Sequence, residues 1–403
     1  MMDDDAPYIS SSELYSEMLD SWDTLWNKKL GLYENIKNIV SQSTFLPNPG
    51  CIPLVTIYCL MPSKWAKIAG ILFSCGDEGS GKSTIAKLAN KIHGYKSTFS
   101  PADTFSSVRN ALEGRKWVDE ERTIEKEGVI LCWDNIDAAT FQREPRLYQL
   151  LLVGYDSSTS TMAIANQDGT NKFFDVFCPK IISSVQPLHF KSDFKELRRR
   201  MLVIPHKKLS RFTPYELSIQ KLNFDERLDI DSVSWNGIEK EFHNFWNSLD
   251  NCRTYVSFRK LLSVKNTLKL PAIINADRWA ISKDILCTGL TLKVWKDLNE
   301  AIDYIASYWH YCEDVIYKEG SATLEHLRQF IIDETEIQIR VNEALVADGR
   351  KPQKLKIASI RLKQKLESLQ REGALDINPK LAEIQNIMNE LGWRLTTEGW
   401  IER

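Results

Sequence analysis

The chain has 403 residues, of which 43% are hydrophobic and 26% are charged. These proportions exclude a disordered or fibrous protein and are typical of globular domains, and the length predicts roughly two to four of them. The formal net charge is −2, which excludes an argument for nucleic-acid binding from overall charge. Such an argument needs a local basic cluster.

The chain begins with acidic residues and shows no signal-peptide pattern. Its longest apolar region, residues 51–75, is interrupted by two prolines and two lysines, so we expect no single membrane-spanning helix and a cytoplasmic protein. The eight cysteines show no metal-ligand spacing with the six histidines. Most of them lie in apolar runs, which predicts buried, reduced thiols.

Three elements precede the first motif. Residues 11–43 predict a helix with an apolar stripe, which is more typical of packing than of a binding site. The prolines of 47–50 break this pattern. Residues 51–66 predict a second helix and residues 68–75 a strand. We therefore assign residues 1–50 to an N-terminal helical segment and 51–211 to the next domain.

The predicted strand leads into a complete G-x-x-x-x-G-K-[ST] phosphate loop, and a helix follows it. The glycines allow backbone N–H groups to face a phosphate, and the helix N-terminus adds partial positive charge. Lys82 is predicted to reach the β- and γ-phosphates of ATP, and Ser83 to bind Mg²⁺. The alternative is a glycine-rich turn with a stray lysine. The predicted ATP-binding residues are Gly76, Glu78, Gly79, Ser80, Gly81, Lys82, Ser83 and Thr84.

A second motif lies at residues 128–135. Its continuous apolar run predicts a strand buried on both faces of a parallel sheet. Asp134 follows at the C-terminal end, where ligands bind in open α/β sheets. This Walker B pattern predicts that Asp134 holds Mg²⁺ through water, opposite Ser83. The alternative is an aspartate that caps a helix.

The elements after this motif also have clear signals. Residues 144–153 predict a helix, and the runs 160–165 and 173–178 predict a β-hairpin because turn-forming residues separate them. Residues 180–184 predict a buried strand with a polar end. A short basic stretch and a last strand, residues 201–205, complete this part of the chain.

Helical patterns dominate after residue 212, and residues 212–320 are assigned to a helical lid or linker. In residues 321–403, predicted helices at 322–347, 354–371 and 379–391 are closed by a terminal hairpin, which suggests a winged helix. Residues 350–371 hold eight Lys or Arg and one acid. This cluster predicts either a solvated helix face or DNA contact. The candidate DNA-contacting residues are Lys172, Lys354, Lys356, Arg361, Lys363 and Lys365.

The motifs occur in the order phosphate loop, Walker B strand, hairpin, polar-ended strand and arginines. This order resembles that of an AAA+ ATPase with a β-hairpin before the sensor-1 strand. It is most similar to superfamily-3-like helicase and primase-associated ATPases of phages, plasmids and mobile elements. The resemblance covers roughly residues 50–290. It implies an α/β fold: a P-loop core with a parallel sheet, a helical lid and a C-terminal winged-helix-like domain.

The resemblance also implies roles for individual residues. Ser183 or Ser184 would be sensor 1, with Ser184 taken as the nucleotide contact. Arg200, or in second place Arg199, would be an arginine finger that acts on a neighbour's nucleotide. This implies a homo-oligomeric ring or filament, such as a hexamer. Arg278 would be sensor 2. The alternative for each arginine is surface solvation or structural pairing.

Two positions depart from the family pattern. Asn135 stands where the family has an acid that activates water, and an amide cannot take a proton. Asp137 or Glu78 would have to substitute, or hydrolysis would be slow. The hairpin turn offers Lys172 as its basic residue, beside Asp168, whereas DNA-pumping hairpins carry a basic tip.

The sequence therefore supports two main functional hypotheses. One is an oligomeric ATPase that acts on DNA. The other is an ATP-dependent oligomerisation switch that recruits a protein partner and hydrolyses ATP slowly, without strand separation. A small-molecule kinase would explain the phosphate loop alone.

Overall fold

The structure is a computed structural model. It describes residues 26–76, 78–94, 98–113, 118–119, 122–123, 130–165, 169–186, 188–190, 194–208, 228–231, 235–264, 268–317, 322–357, 361–362, 364–365, 368, 385, 388–389, 391–396 and 399–402.

The described helices are α1 Leu32–Ser43, α2 Ile52–Cys59, α3 Lys82–Ile92, α4 Phe105–Glu113, α5 Ala138–Arg143, α6 Pro145–Val153, α7 Lys195–Arg198, α8 Asn236–Asn247, α9 Leu249–Ser263, α10 Ala276–Thr291, α11 Leu298–Tyr311 and α12 Ala322–Ala347. The described strands are β1 Ile71–Gly76, β2 Val118–Asp119, β3 Arg122–Thr123, β4 Leu131–Trp133, β5 Thr161–Ala165, β6 Asn171–Asp175, β7 Lys180–Ser184, β8 Met201–His206, β9 Lys356–Ile357, β10 Trp393–Thr396 and β11 Gly399–Glu402.

Four strands form a parallel sheet in the order β4-β7-β1-β8. Strand β7 lies between β1 and β4, with Cys75 opposite Ser184 and Trp133 opposite Ile182. Apart from the half-buried Pro205, the large apolar residues of these strands are buried, as expected for a sheet covered on both faces. Because all four strands run in one direction, the ends of β1, β4 and β7 meet at one edge of the sheet.

The chain divides into two compact units. One comprises residues 1–185 and 199–310, and the other residues 186–198 and 311–403. The first unit contains the parallel sheet and helix α3, which packs against β1, β4 and β7. The boundaries predicted at residues 50, 211 and 320 stay predictions. Among the described residues, no helix has the length and apolar character needed to cross a membrane.

The predicted helix at residues 11–43 is wrong in extent. Within the described residues, α1 begins only at Leu32, and residues 1–25 lie outside them. The side chain of Asn35 explains the late start: it accepts from Asn27 N at 2.8 Å and donates to the carbonyls of Asn27 and Leu30, each at 3.2 Å. These bonds hold the preceding residues in a turn instead of a helix.

Several predicted elements are confirmed. Strands β5 and β6 form the antiparallel hairpin, with Ala165 opposite Asn171, and it directly precedes β7. All eight cysteines are buried. Helix α12 has the predicted bounds, and β10 and β11 form the terminal hairpin.

In the second unit, a small core joins α12 to the terminal strands. The buried residues of this core are Ile331, Ile357, Leu362, Met388 and Trp393. Two side-chain amides on α12 also fasten the segment before β9. Asn342 exchanges two 2.8 Å hydrogen bonds with the backbone of Gln353, and Gln338 bonds the backbone of Lys356 at 2.6 and 2.7 Å.

A buried carboxylate connects three segments of the first unit. Asp284 on α10 is fully buried. It accepts hydrogen bonds from the backbone N–H groups of Lys67 and Ile68, at 3.0 and 2.7 Å, and from Tyr255 Oη at 2.6 Å. It also forms an ion pair with Arg259. One side chain therefore links the entry to β1 with helices α9 and α10.

We predict that Asp284→Ala lowers the free energy of unfolding by about 3–5 kcal/mol, because it leaves the Arg259 charge and two backbone donors without their acceptor. Denaturant unfolding monitored by tryptophan fluorescence measures this loss. Asp303→Ala, an exposed position on α11, is the matched control and is expected to stay within about 0.5 kcal/mol of the wild type.

Candidate nucleotide-binding site

The phosphate loop leaves β1 through a glycine that no other residue can replace. Gly76 has φ +148°, and a Cβ at this position would lie 1.9 Å from the carbonyl oxygen of His206 on the neighbouring strand β8. Gly79 and Gly81 also have positive φ values, of +70° and +85°. The loop therefore depends on backbone conformations that favour glycine, as the motif predicts.

The loop delivers the N-terminal turn of α3 to the end of the sheet. Gly81 is the N-cap of this helix, and Thr84 N bonds Gly81 O at 3.1 Å. Lys82 and Ser80 are buried, whereas Glu78 is exposed in the loop. Burial of Lys82 at a helix N-terminus concentrates positive charge where a phosphate would lie.

The same charge acts on the neighbouring thiol. Burial raises the pKa of Cys75 to about 12, and the positive charge of Lys82 opposes this rise. Cys75 therefore stays a neutral, packed thiol at the end of β1.

One carboxylate oxygen connects three elements at this edge. Asp134, directly after β4, accepts a hydrogen bond on Oδ1 from Ser83 Oγ of α3 at 2.6 Å. The same oxygen accepts a second bond, from Ser183 Oγ of β7. The phosphate-loop serine and the aspartate after β4 are thus in direct contact, because the parallel sheet brings both strand ends to one edge.

Ser183, and not Ser184, contacts this centre. Both serines are fully buried, but the Ser184 hydroxyl donates to Ile136 O at 2.5 Å, whereas the Ser183 hydroxyl donates to Asp134. Our assignment of Ser184 to nucleotide contact is therefore not supported by its placement. Successive residues of a strand point to opposite faces, and the face that carries Ser183 could not be chosen without the register between β4 and β7.

Asn135 has a left-handed backbone. Its φ is +55°, a conformation that Asn adopts more readily than most residues. Its N–H donates to Ser183 Oγ at 2.9 Å, and Ile136 N donates to Ser183 O at 2.9 Å. The left-handed backbone therefore favours an asparagine at position 135, and the sequence alone does not reveal this conformation.

Of the two carboxylates considered as a substitute base, Asp137 has a structural partner. Asp137 caps α5, accepting from Thr140 N at 2.7 Å and from Thr140 Oγ1 at 2.6 Å. Glu78 is exposed and makes no described contact with Asp134 or Ser83. Asp137 is thus engaged in a structural bond.

The donor set fits Mg²⁺ and a triphosphate. A serine hydroxyl and an aspartate carboxylate that lie 2.6 Å apart are hard oxygen donors of the kind that Mg²⁺ prefers. The glycine-lined turn next to them leaves no room for a Cβ at Gly76 and lies at a helix N-terminus. Ser83 and Asp134 would hold the ion, and the loop and Lys82 would hold the phosphates.

The candidate finger and sensor arginines lie at the opposite edge of the sheet. Arg200 directly precedes β8, and its guanidinium carbon lies 4.6 Å from the ring centroid of Tyr155. Arg199 forms a 3.6 Å ion pair with Asp277. Neither arginine can approach the phosphate loop of its own chain, because six residues of β8 separate the two edges.

Arg278 has structural partners on the same side. Its Nη1 donates to Ile273 O at 2.8 Å, and its guanidinium stacks on Trp309, 4.9 Å from the ring centroid. Helix α10 begins next to Arg199 and Gly70, at the N-terminal edge of the sheet. The structure therefore does not bring Arg278 together with the phosphate loop of its own chain, as a sensor-2 role in cis would require.

The candidate DNA-contacting residues are in separate places. Lys172 is exposed on the hairpin, and Lys354 and Lys356 are exposed in the second unit. Arg361 forms a 2.6 Å ion pair with the buried Glu334, which compensates the positive charge of the arginine. Lys365 is partly exposed. Lys363 lies outside the described residues.

We predict that Asn135→Ala lowers the free energy of unfolding by about 1–2 kcal/mol, because alanine pays the steric cost of the left-handed conformation. Asn135→Gly should stay close to the wild type, because glycine adopts positive φ without that cost. Thermal and denaturant unfolding measure both variants. Equal stability of the two variants would contradict the conformational explanation.

Comparisons with known proteins identify no family for this chain. No family model matches it, and no curated protein matches it. Among solved structures, the chain is similar to one titled "SCCmec type IV Cch - active helicase", with 16% sequence identity, a TM-score of 0.34 and coverage of 94% of this chain and 67% of that chain. A similarity at this identity and TM-score does not establish a shared function.

Proposed function

We propose that the protein is an ATP-binding and ATP-hydrolysing oligomeric ATPase that acts on DNA. The observation that carries the ATPase part is the 2.6 Å contact between Ser83 and Asp134 at the end of a parallel sheet. Two motifs separated by 51 residues converge on one point only if both belong to the same site. A glycine-rich turn with a stray lysine, or an aspartate that merely caps a helix, would not require this convergence.

The residues of the chain have distinct tasks in this proposal. Lys82 and the loop N–H groups bind and orient the phosphates. Ser83 and Asp134 hold Mg²⁺, which neutralises charge on the β- and γ-phosphates when bound. Ser183 fixes the carboxylate through its hydroxyl, so it is a positioning residue.

We predict that Lys82→Ala abolishes ATP binding, whereas Asp134→Ala retains binding and loses Mg²⁺-dependent hydrolysis. Titration calorimetry with ATP and a phosphate-release assay separate these two effects. Lys87→Ala changes an exposed lysine on the same helix, paired with Asp231 at 3.9 Å, and should retain both activities. Wild-type ATP affinity in Lys82→Ala would refute the nucleotide site.

Oligomerisation is proposed because of the position of Arg200. It precedes β8, whereas the phosphate loop follows β1, so the two lie at opposite edges of one sheet. An arginine there can stabilise a transition state only on another copy of the chain. In a ring or filament, each copy would present this edge to the phosphate loop of the next copy.

Complementation between variants tests this arrangement. Arg200→Ala alone should lower turnover, on the order of a thousandfold, without preventing ATP binding. Mixing it with Lys82→Ala should restore part of the activity, because each variant supplies what the other lacks. The measurement is ATP turnover at constant total protein, with Arg253→Ala, an exposed arginine on α9, as the control. No recovery on mixing and full activity of Arg200→Ala would each refute the assignment.

The DNA-directed part rests on the exposed cations of the hairpin and of the second unit. Lys172 lies on β6, and the amides of α12 hold the basic segment that contains Lys354 and Lys356 at the surface. The arrangement of α12 with β9, β10 and β11 supports the winged-helix-like assignment, and helices α8 to α11 support the lid assignment. Salt-sensitive binding to DNA in the presence of ATP is the test.

A second candidate function is favoured by Asn135. The residue after the Walker B aspartate has no proton-accepting group, and Asp137 is engaged in a cap. Such a site could bind ATP, oligomerise and recruit a protein partner while hydrolysing slowly. A mass measurement with ATP and Mg²⁺, combined with turnover and strand-separation assays, distinguishes the two. ATP-dependent assembly without strand separation supports the switch.

A further inference from the structure

Helix α12 and the segment that leads into β9 form an apolar groove in the second unit. The groove has a volume of about 370 Å³. Its apolar walls are Ile339, Val346 and Leu355, and Asn342 and Glu343 complete the lining. Ile339 and Val346 lie on one face of α12, because they are separated by about two helical turns. Leu355 lines the groove from the segment before β9.

Hydrogen bonds hold both walls of the groove in place. Asn342 on α12 exchanges two 2.8 Å hydrogen bonds with the backbone of Gln353. On the other side of Leu355, the backbone N–H of Lys356 donates to Gln338 Oε1 at 2.7 Å. These bonds fix the segment that carries Leu355 against the helix. The groove is therefore preformed, which lowers the entropic cost of binding an occupant.

The apolar side chains of the groove are open to solvent. Val346 is 56% exposed and Ile339 is 41% exposed, whereas Ile331 on the same helix is fully buried in the core of this unit. Adjoining apolar side chains that face solvent mark an interaction site. The occupant must present an apolar ridge to the groove, and an α-helix with apolar residues two turns apart has that shape.

Opposite charges flank the two ends of the groove. Glu336 lies about one turn before Ile339, and Arg350 and Lys351 follow the end of α12; these three charged residues are exposed. If a second α12 lies antiparallel to the first, with Ile339 over Val346, Glu336 of one copy comes next to Arg350 of the other. A two-fold axis forms this contact twice. A parallel arrangement would instead bring like charges together.

We propose that this groove is the interface of a two-fold symmetric dimer of the chain, which forms without nucleotide. The occupant is α12 of a second copy, which supplies Ile339 and Val346 as its apolar ridge. A self-complementary surface closes after two copies, so it produces a dimer and not a filament. The groove and Arg200 belong to different units. The dimer is therefore distinct from the proposed ring or filament and does not rest on the proposed nucleotide site.

The test is sedimentation equilibrium of the full-length protein without nucleotide, over a range of protein concentrations. The wild type should fit a monomer–dimer equilibrium. Val346→Asp should raise the dimer dissociation constant by roughly a hundredfold or more, because dimerisation would bury an unpaired charge. Val341→Asp is the matched control: this valine is 51% exposed on another face of the same helix. It should dimerise like the wild type.

A charge exchange tests the antiparallel pairing independently. Glu336→Lys and Arg350→Glu should each raise the dissociation constant roughly tenfold, because an exposed ion pair contributes little and the dimer contains two of them. The double variant should return to the wild-type value, since each new lysine then meets a new glutamate. Glu336→Lys also changes an exposed 3.7 Å contact with Arg340, so thermal unfolding of each variant shows that it is folded.

Each outcome supports or overturns the dimer. A wild type that is monomeric at every concentration overturns it, and the groove then takes another occupant, such as a helix of a different protein. Equal loss of the dimer in Val346→Asp and Val341→Asp overturns the assignment to the groove. A double charge variant that stays weak overturns the antiparallel pairing. Lys82→Ala should dimerise like the wild type, so failure of the nucleotide site and failure of this dimer are distinguishable.

Discussion

The candidate site depends on Asp134 Oδ1, a single oxygen that accepts hydrogen bonds from the hydroxyl groups of Ser83 and Ser183. These residues belong to a helix and two strands that are far apart in sequence. They meet because β7 is inserted between β1 and β4, so that the ends of three parallel strands are neighbours at one edge. The register of the sheet therefore sets the geometry of the site. Loss of either hydroxyl would leave the carboxylate less firmly oriented.

Because the four strands are parallel, the sheet has a C-terminal edge and an N-terminal edge that carry different functional groups. The C-terminal edge carries the phosphate loop and the carboxylate. The N-terminal edge carries Arg200 and the start of α10, and Asp284 binds the residues that enter β1 nearby. A parallel sheet cannot bring both edges to one nucleotide within one chain. If the arginines take part in chemistry, they must do so between copies, and otherwise their stacking on Tyr155 and Trp309 is purely structural.

The sequence predicts best what depends on local spacing. The phosphate loop, the hairpin before β7 and helix α12 are all readable, because glycine positions, turn residues and periodicity are local signals. Side-chain choices that depend on packing between distant elements are not readable. The preference for Ser183 over Ser184 needs the strand register, and the pairing of Arg361 with Glu334 needs the fold of the second unit. The break before Leu32 depends on the amide of Asn35, which bonds the backbone of Asn27 and Leu30 and is not a helix-breaking residue that the sequence would reveal.

At Asn135, the sequence and the structure give different information. In the sequence, Asn135 stands where an acid is expected. In the structure, Asn135 has a left-handed backbone, and its N–H donates to the hydroxyl of Ser183, which in turn donates to Asp134. A glutamate there would have to accept the same positive φ, at a cost that asparagine largely avoids. The backbone geometry of the residue that follows Asp134 therefore also disfavours a glutamate at position 135. Because the donor to Ser183 Oγ is the backbone N–H of residue 135, a substitution there keeps this donor and changes mainly the cost of the left-handed conformation.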